Sequence, residues 1–538
     1  MRFSAILRPP NKLKPTLFLT RAFALAACLL PAIAHSEKEA APGERHVVVV
    51  VWDGMRPDFV SETNTPTLWK LAQSGVTFQN HHSVYVTATN VNGAAMATGV
   101  YPNRNSLLAN REFRPAIDAR NAFENADWPI IKKADEVTGG KYIAAPTIAE
   151  IVRASGRGTA IAGTKSVAFL HDRHAEWTSA SSKEIVRFAA APMPAALRAE
   201  TIRLLGPFLT EPGNTSDQRN NYATRALTEI MWRDAVPAFS LLWLSDPDLT
   251  QHELAPGSEP SLAAVRSSDR NLALVLEALE KKKARETTDV FIVSDHGFST
   301  IERAVDFPAE LRKAGFDATA SFTEPPKRGQ VMVVGNGGTI LFYVIEHDRD
   351  VAARLAEWLQ RSDFAGVIFA REKFEGTFPL ETVRANTADA PDVMVALRWN
   401  KNPNRFGVAG QIITDSSRGP GKGSHATLSE FDVHNTLIAA GPDFRERVAT
   451  TVPSSNVDIA PTVLRLLGIE APQKFDGRVL NEGMDERAVK IDVLTKTIQA
   501  TRKFPSGEWQ QHLRVSLVGE TLYIDSGNGA FSPTHAKP

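Results

Sequence analysis

The chain has 538 residues, of which 43% are hydrophobic and 23% are charged, and these proportions are ordinary for a soluble globular protein. Its 61 basic side chains balance its 61 acidic ones, so net charge gives no reason to expect a nucleic-acid polymer or an anionic membrane as the main partner. The single cysteine excludes an internal disulfide framework. The length allows two or more domains and leaves the oligomeric state open.

The first segment has the pattern of a cleaved secretion signal. A basic lead precedes an apolar core at residues 22–33, and Ala-Ile-Ala at 32–34 is typical of a cleavage site, which predicts a signal peptide over residues 1–34. This core is too short to span a bilayer, so we expect no transmembrane segment in the mature chain. A lipobox ending at Cys28 is a second interpretation, but the apolar run before Cys28 is short and the run after it is still apolar. The sequence therefore favours a periplasmic or secreted protein over a lipid-anchored one.

Three apolar runs predict buried parallel strands that lead to residues able to hold a metal ion. The runs are Val47–Trp52, Phe239–Leu244 and Val290–Val293. The residues that follow them are Asp53, then Asp248 and His252, then Asp295 and His296. Because open α/β sheets bind ligands at the carboxyl edge of their strands, we expect these side chains to converge, together with His425 from the glycine-rich loop at 421–425. Carboxylate and imidazole groups suit a borderline divalent ion such as zinc.

Two further polar residues are ambiguous from their own segments. Thr89 begins a stretch of small residues that predicts a helix start, where free N–H groups can receive phosphate, but a threonine there could equally be a helix cap. Lys165 could bind a substrate carboxylate or phosphate, although a solvated lysine is the simpler interpretation.

Taken together, these segments resemble the alkaline phosphatase superfamily and, within it, the type I phosphodiesterase/nucleotide pyrophosphatase family. The motifs that carry the resemblance are Asp-Gly-x-Arg at 53–56, Thr-x-x-Asn at 89–92, Pro-Asp-x-x-x-His at 247–252, Ser-Asp-His-Gly at 294–297 and Gly-Ser-His at 423–425. The resemblance extends over about residues 47–480. It implies an α/β fold, with an alkaline-phosphatase-like, mostly parallel central sheet and helices on both faces. Between His296 and His425, apolar runs at 330–334, 339–344 and 367–370 and a helical pattern at 350–361 predict a small inserted α/β cap.

The resemblance also implies roles for individual residues. Two divalent metal ions, zinc by expectation, would act with Thr89 as the nucleophile that becomes a phospho-threonine. One ion would be held by Asp248, His252 and His425, and the other by Asp53, Asp295, His296 and the hydroxyl of Thr89. Asn110 would be the second phosphate donor, and a neutral amide there favours a monoanionic diester over a dianionic monoester. Asn90 stands where related phosphodiesterases carry an aromatic residue after the nucleophile, so nucleotide preference stays open.

The predicted organisation has four parts. A catalytic domain occupies residues 45–300 and 415–485, a cap occupies 301–414, and residues 486–538 form a C-terminal extension with a hairpin turn at Gly519-Glu520. The segment at 111–140 is interpreted as a loop beside Asn110.

The function predicted from these features is a secreted hydrolase that cleaves phosphodiester or pyrophosphate bonds in small phosphodiester or nucleotide substrates. The alternatives within the superfamily are a phosphomonoesterase, an enzyme similar to phosphonoacetate hydrolase, and a phosphoryl transferase. A metal-bearing binding protein without catalysis is disfavoured, because the nucleophile and every metal ligand of the family pattern are present.

Overall fold

A computed structural model describes residues 45–172, 195–209, 214–484 and 490–534. The predicted signal peptide over residues 1–34, and the alternative lipobox at Cys28, lie outside the described residues. Within the ranges given above, no helix combines the length and the apolar character that crossing a membrane requires.

The main sheet contains seven strands in the described part of the chain. Their spatial order is Val448–Thr450, Val76–Phe78, Leu437–Ala440, Thr288–Val293, His46–Trp52, Phe239–Leu244 and Thr159–Gly163. The strand Leu437–Ala440 is antiparallel to both of its neighbours, whereas the other paired strands are parallel. The predicted mostly parallel central sheet is therefore confirmed.

Helices cover both faces of the main sheet because the central strand is apolar on both sides. Val47, Val49 and Val51 enter one core, and the alternate residues Val48 and Val50 enter the opposite core. The helices of the first core are Thr89–Thr98, Trp128–Thr138, Ile148–Ala154 and Ile459–Leu466. The helices of the second core are Pro66–Ser74, Ser216–Arg225, Ala226–Met231 and Glu259–Lys281.

Local sequence signals account for several of these boundaries. The helix Ile148–Ala154 begins after Thr147, which forms a capping box with Glu150. The segment at 111–140, interpreted from sequence as a loop, instead contains the paired strands Arg111–Glu112 and Phe123–Glu124 and an 11-residue helix. Other short helices are Pro102–Asn105, Ala195–Leu205, Asp248–Leu254 and Glu430–Val433, with single 3₁₀ turns at Pro57–Phe59, Ser166–Leu170, Arg285–Thr287, Ile345–His347, Leu380–Val383, Asn456–Asp458 and Asn481–Gly483.

A second sheet, here called the cap sheet, lies in the segment predicted to be a cap. Its strands, in spatial order, are Ala318–Thr319, Val331–Asn336, Thr339–Val344, Val393–Leu397, Ala365–Ala370 and Phe378–Pro379. The helices Phe307–Lys313 and Arg349–Gln360 pack against it. A small sheet connects this segment to the rest of the chain through Trp399–Pro403, Ala409–Asp415, Ser299–Val305 and Gly423–Ser424. Ser299–Val305 and Ala409–Asp415 pair directly, so the two ends of the segment lie side by side, as an insertion requires; the boundaries 301 and 414 remain predictions.

The C-terminal sheet has three antiparallel strands among the described residues, Val493–Phe504, Gly507–Val518 and Thr521–Pro533. The last two are joined at Gly519-Glu520, the turn that the sequence indicates. The sheet attaches to the cap sheet through the side chain of Gln511, which bonds both the N–H (2.7 Å) and the carbonyl (3.1 Å) of Ile368. A pair of two-residue strands, His81–His82 and Ser454–Ser455, brings the segment before Thr89 beside a segment near the end of the predicted catalytic domain.

Candidate active site

The candidate site lies at the carboxyl edge of the main sheet. The strand His46–Trp52 is parallel to both Phe239–Leu244 and Thr288–Val293, so the three chain segments leave the sheet on the same side. The predicted metal ligands that follow them are Asp53, Asp248, His252, Asp295 and His296. His425 reaches the same place from the loop after the short strand Gly423–Ser424.

The turn after the first of these strands explains why an Asp-Gly pair stands there. Gly54 has a φ of +70°, and a Cβ at this position would lie 3.0 Å from the Cβ of Asp248. The N–H of Gly54 donates to Oδ1 of Asp295 at 3.0 Å. Glycine thus lets the chain turn tightly enough for Asp53, Asp248 and Asp295 to share one buried space.

The ligand atoms form two overlapping groups. One comprises Asp53, Asp295 and His296, the other comprises Asp248, His296 and His425, and within each group the atoms lie within 4.8 Å of one another. The imidazole of His252 adjoins the second group, because its Nε2 lies 3.3 Å from Oδ1 of Asp248. The structure therefore brings all the sequence-predicted ligands together, with His296 between the two sets that the resemblance implies.

Each histidine is oriented by a bond to the main chain. Nδ1 of His252 donates to the carbonyl of Gly423 at 3.0 Å, Nδ1 of His296 to Gly297 at 2.9 Å, and Nδ1 of His425 to Thr87 at 2.9 Å. This pattern fixes the tautomer and leaves every Nε2 lone pair for a cation. Burial and the neighbouring His296 hold the pKa of His425 well below its usual value, so its imidazole is neutral, as metal binding requires.

Two carboxylate oxygens in the site lack protein donors. Oδ1 of Asp248 and Oδ2 of Asp295 are buried and have no hydrogen-bond partner among the described residues. A buried carboxylate oxygen without a partner is unfavourable, and a bound cation is the usual remedy. One oxygen belongs to each ligand set, and oxygen with imidazole nitrogen is the donor mixture of catalytic zinc sites. The residues therefore fit two divalent ions.

Thr89 lies beside these groups as the first residue of the helix Thr89–Thr98, whose N-cap is Ala88. The interpretation of Thr89 as a helix cap is therefore wrong. Its Oγ1 lies 3.2 Å from Nε2 of His296. The other hydroxyl in this segment, on Thr87, donates instead to the carbonyl of Thr427 at 2.8 Å, so Thr89 alone of the two presents its hydroxyl to the ligand groups.

Asn110 lies next to the start of this helix. Its Oδ1 accepts the N–H of Asn90 at 2.8 Å, which leaves its amide nitrogen without an acceptor in the ranges that the structure covers. The side chain of Asn90 turns into a buried network, where its Nδ2 donates to Glu124 at 2.5 Å and to Asn125 at 2.9 Å. Asn90 therefore anchors the helix start, and the free donor beside Thr89 is Asn110.

Lys165 is a site residue that the sequence interpretation missed. Its Nζ donates to Asp53 Oδ1 at 2.9 Å and to Asp248 Oδ2 at 2.6 Å, and it lies 3.5 Å from Thr89 Oγ1. Burial opposes the charge, but Asp248 and Asp53 outweigh burial and raise the pKa of Lys165 above its usual value. The interpretation of Lys165 as a solvated lysine is wrong, and a usable signal is its position just after Thr159–Gly163, another strand of the same parallel sheet.

Close packing between the helix Thr89–Thr98 and the turn after Lys165 positions this lysine. A Cβ at Gly93 would lie 2.2 Å from Cγ2 of Val167, so only glycine lets the helix Thr89–Thr98 approach the turn that follows Lys165.

Two carboxylates of the site have pKa values shifted in opposite directions. Burial and Asp295 raise the pKa of Asp53 well above its usual value, although Trp243 Nε1 donates to its Oδ2 at 2.7 Å. Asp248 has its pKa well below the usual value, because His252 and Lys165 overcome the effect of burial.

The cap sheet meets the site through one hairpin turn. The N–H of Gly338 donates to the carbonyl of His425 at 2.9 Å, and a Cβ at Gly337 would lie 2.8 Å from Oγ of Ser424. At the same tip, Oδ1 of Asn336 accepts the N–H of Arg111 at 2.8 Å. The cap hairpin thus contacts both the His425 loop and the segment that carries Asn110.

Known proteins resemble this chain in sequence and in fold. Human ectonucleotide pyrophosphatase/phosphodiesterase family member 5 is 23% identical over 306 residues, which are 55% of this chain and 54% of the relative. The bis(5'-adenosyl)-triphosphatase of Xenopus laevis is 22% identical over 288 residues, 52% of this chain and 53% of the relative. The chain thus spans about half the length of these curated relatives.

Fold similarity extends further than sequence similarity. The solved structure of an inactive murine ectonucleotide pyrophosphatase/phosphodiesterase 5 in complex with AMP superposes with a TM-score of 0.55 at 16% identity, covering 80% of this chain and 97% of that one. The sequence model of the type I phosphodiesterase/nucleotide pyrophosphatase family matches residues 47–404, which include every predicted ligand except His425. The chain therefore belongs to the type I phosphodiesterase/nucleotide pyrophosphatase family.

Proposed function

We propose that the protein is an exported hydrolase of phosphodiester or pyrophosphate bonds in small, nucleotide-like substrates, and that it works through a phospho-threonine at Thr89 with two divalent metal ions, zinc by their donor set. The observation that carries the proposal is the contact of the Thr89 hydroxyl with His296, beside two buried carboxylate oxygens that lack partners among the described residues. Family membership and the activities in the relatives' names support the same reaction class. Export rests on the predicted signal peptide.

The reaction would proceed in two displacements at one phosphorus atom. Oγ1 of Thr89 forms a bond to phosphorus while the bond to the leaving oxygen breaks, and water then cleaves the new Oγ1–P bond and restores the threonine. Bound divalent ions would favour the alkoxide form of the threonine and stabilise charge on the leaving oxygen. The amide nitrogen of Asn110 and the ammonium of Lys165 would hold the other phosphoryl oxygens, since both donors lie beside Thr89.

The covalent step is tested by trapping. Wild-type protein loaded with zinc, mixed with a phosphorus-labelled aryl phosphate diester and quenched in acid, is expected to carry label on the peptide that contains Thr89. Thr89→Ser retains a hydroxyl and is the matched control, expected to be labelled more slowly, whereas Thr89→Ala is expected to carry none. Rapid turnover by Thr89→Ala would overturn the phospho-threonine mechanism.

One observation favours a second candidate function, a phosphomonoesterase or an enzyme similar to phosphonoacetate hydrolase. Three site carboxylates and a threonine alkoxide would balance the charge of two divalent ions, and Lys165 adds a positive charge beyond that balance. This excess favours a reacting phosphoryl group that carries more than one negative charge, as in a phosphate monoester. Initial rates on matched aryl phosphate diester and monoester substrates decide between the two: a strong diester preference supports our main proposal, and a strong monoester preference supports the second.

A further inference from the structure

A second cluster of metal-ligating side chains lies away from the candidate active site, where the C-terminal sheet meets the catalytic segments. It consists of His82, His434 and Asp525, here called the junction cluster, and one ligand atom from each residue lies within 4.8 Å of the other two. His82 and Asp525 are buried and His434 is partly buried. The three residues come from a short strand before the nucleophile, the end of the helix Glu430–Val433, and the strand Thr521–Pro533.

Two of these side chains are held by further hydrogen bonds to the protein. Nδ1 of His82 donates to the carbonyl of Ser454 at 3.0 Å. Oδ2 of Asp525 accepts the hydroxyl of Ser516 at 2.9 Å. Partners of this kind orient the ligands of protein-bound metals, because they fix the tautomer of His82 and the rotamer of the carboxylate.

The atoms of the junction cluster that face one another lie close together. Nε2 of His82 lies 3.0 Å from Oδ1 of Asp525, and the rings of His82 and His434 are 4.5 Å apart between centroids. Two imidazole nitrogens and one carboxylate oxygen supply three of the four ligands of a tetrahedral zinc site, and water is a common fourth ligand.

We propose that the junction cluster binds a divalent transition-metal ion, zinc by its donor set. The ion would fasten the C-terminal sheet to two other segments, the one that precedes Thr89 and the one that follows His425. The site has no nucleophile of its own among the described residues that form it, and its ligands come from segments far apart in the chain. Its expected role is therefore to hold the three segments together, as structural metal ions do.

The competing explanation is a metal-free ion pair. A doubly protonated His82 could donate to both Ser454 and Asp525, and the guanidinium of Arg514 lies 3.9 Å from Oδ2 of the same carboxylate. The ion pair needs only the imidazole of His82 and gives no role to the ring of His434. Metal content separates the two explanations, because the proposed site adds one bound ion per chain and the ion pair adds none.

The experiment compares metal content per chain in variants of the full protein. Wild-type protein is incubated with zinc, passed through gel filtration in metal-free buffer, and analysed by inductively coupled plasma mass spectrometry. Asp525→Asn is expected to lose one zinc ion relative to wild type, together with a lower melting temperature. Asp492→Asn, an exposed carboxylate near the start of the same sheet, is the matched control and is expected to retain the wild-type content.

The difference between wild type and variant is decisive, so the result does not depend on how many ions the active site holds. Equal zinc content in folded Asp525→Asn and wild-type protein would overturn the proposal in favour of the ion pair. If Asp525→Asn does not fold, His434→Gln supplies the same comparison at a partly exposed position. If neither variant folds, the double variant Asp248→Asn/Asp295→Asn decides, since it disables the active-site ligand sets alone: one zinc ion retained supports a separate site, and complete loss of zinc contradicts it.

Discussion

The active-site ligands and the junction cluster use the same side-chain types but differ in how completely the protein satisfies them. At the active site, an oxygen of Asp248 and one of Asp295 have no donor among the described residues, and a threonine hydroxyl and a lysine ammonium lie beside them. In the junction cluster, Oδ2 of Asp525 accepts the hydroxyl of Ser516, and its Oδ1 lies 3.0 Å from Nε2 of His82. Histidine and aspartate thus indicate a candidate metal site in either place, whereas unsatisfied oxygens beside a candidate nucleophile indicate a catalytic site.

The strongest test of this contrast removes the nucleophile. Thr89→Ala is expected to reduce kcat/KM by about four orders of magnitude or more, because the neighbouring Thr87 hydroxyl faces away from the ligands. Zinc content and melting temperature should stay close to wild type. A loss of only a few-fold would show that water attacks directly and that Thr89 is a ligand or a structural residue.

The next test compares one carboxylate from each cluster. Asp295→Asn is expected to lower kcat by at least about 100-fold, because it removes a charge from a ligand set that supports the reaction. Asp525→Asn should lower the melting temperature while kcat stays within a few-fold of wild type. Equal losses of activity in the two variants would mean that the junction cluster controls the active site, and the separation between them would fail.

A smaller effect is expected at the lysine that distinguishes the active site. Lys165→Met keeps an unbranched apolar stem of similar length and removes the ammonium group. We expect a loss of about 10- to 100-fold in kcat/KM, larger for an aryl phosphate monoester than for a diester. Lys401→Met, at an exposed position, is the control. Equal losses on both substrates would indicate that Lys165 orients the carboxylates without binding the substrate phosphate.

The smallest effect concerns a buried carboxylate outside both clusters. Asp289 lies at the opposite end of the strand that leads to Asp295, and burial together with Asp443 raises its pKa from 3.8 to about 7. The folded protein holds this proton more tightly than the unfolded chain, so the stability that it supports falls as pH rises from about 4 to about 7.

Asp289→Asn removes this titration. The variant is expected to be more stable than wild type by about 1–2 kcal/mol at pH 8, with the advantage shrinking or reversing at pH 5, where the wild-type carboxyl is protonated. Denaturant unfolding at the two pH values measures the difference. A stability difference that does not depend on pH would contradict a raised pKa of Asp289 within this range.

Much of the active site follows from local pattern. Continuous apolar runs predict buried parallel strands, and the ends of parallel strands meet at one edge, so the sequence pattern is sufficient to predict that Asp53, Asp248 and Asp295 converge. The family resemblance is confirmed by the match over residues 47–404. The same argument places Lys165 at this edge, because it follows the parallel strand at 159–163. Lysine side chains are usually exposed, however, so the sequence favours a solvated Lys165 over a role in the site.

Other features depend on contacts between distant segments. The close approach of Gly93 to Val167 places Lys165, and the bond from Gly338 to His425 places the cap hairpin against the site. The sequence predicts a hairpin for the C-terminal extension, but its further strand, Val493–Phe504, has no strong alternation of apolar and polar residues and is mostly exposed. Nothing in the local sequence of Asp525 indicates His82 as its partner.

The amino-acid sequence is enough to give the family, the α/β class, the residues that gather at the sheet edge and the choice of Thr89 as the candidate nucleophile. It suffices because the spacing of apolar residues, which indicates strands and helices, can be read from short stretches of chain. Only the folded chain reveals which carboxylate oxygens lack hydrogen-bond partners and that the ammonium of Lys165 lies beside them. The position of the cap hairpin and the existence of a second His/Asp cluster also depend on the tertiary structure. Those features arise from packing among segments separated by tens to hundreds of residues, and no local pattern records how such segments meet.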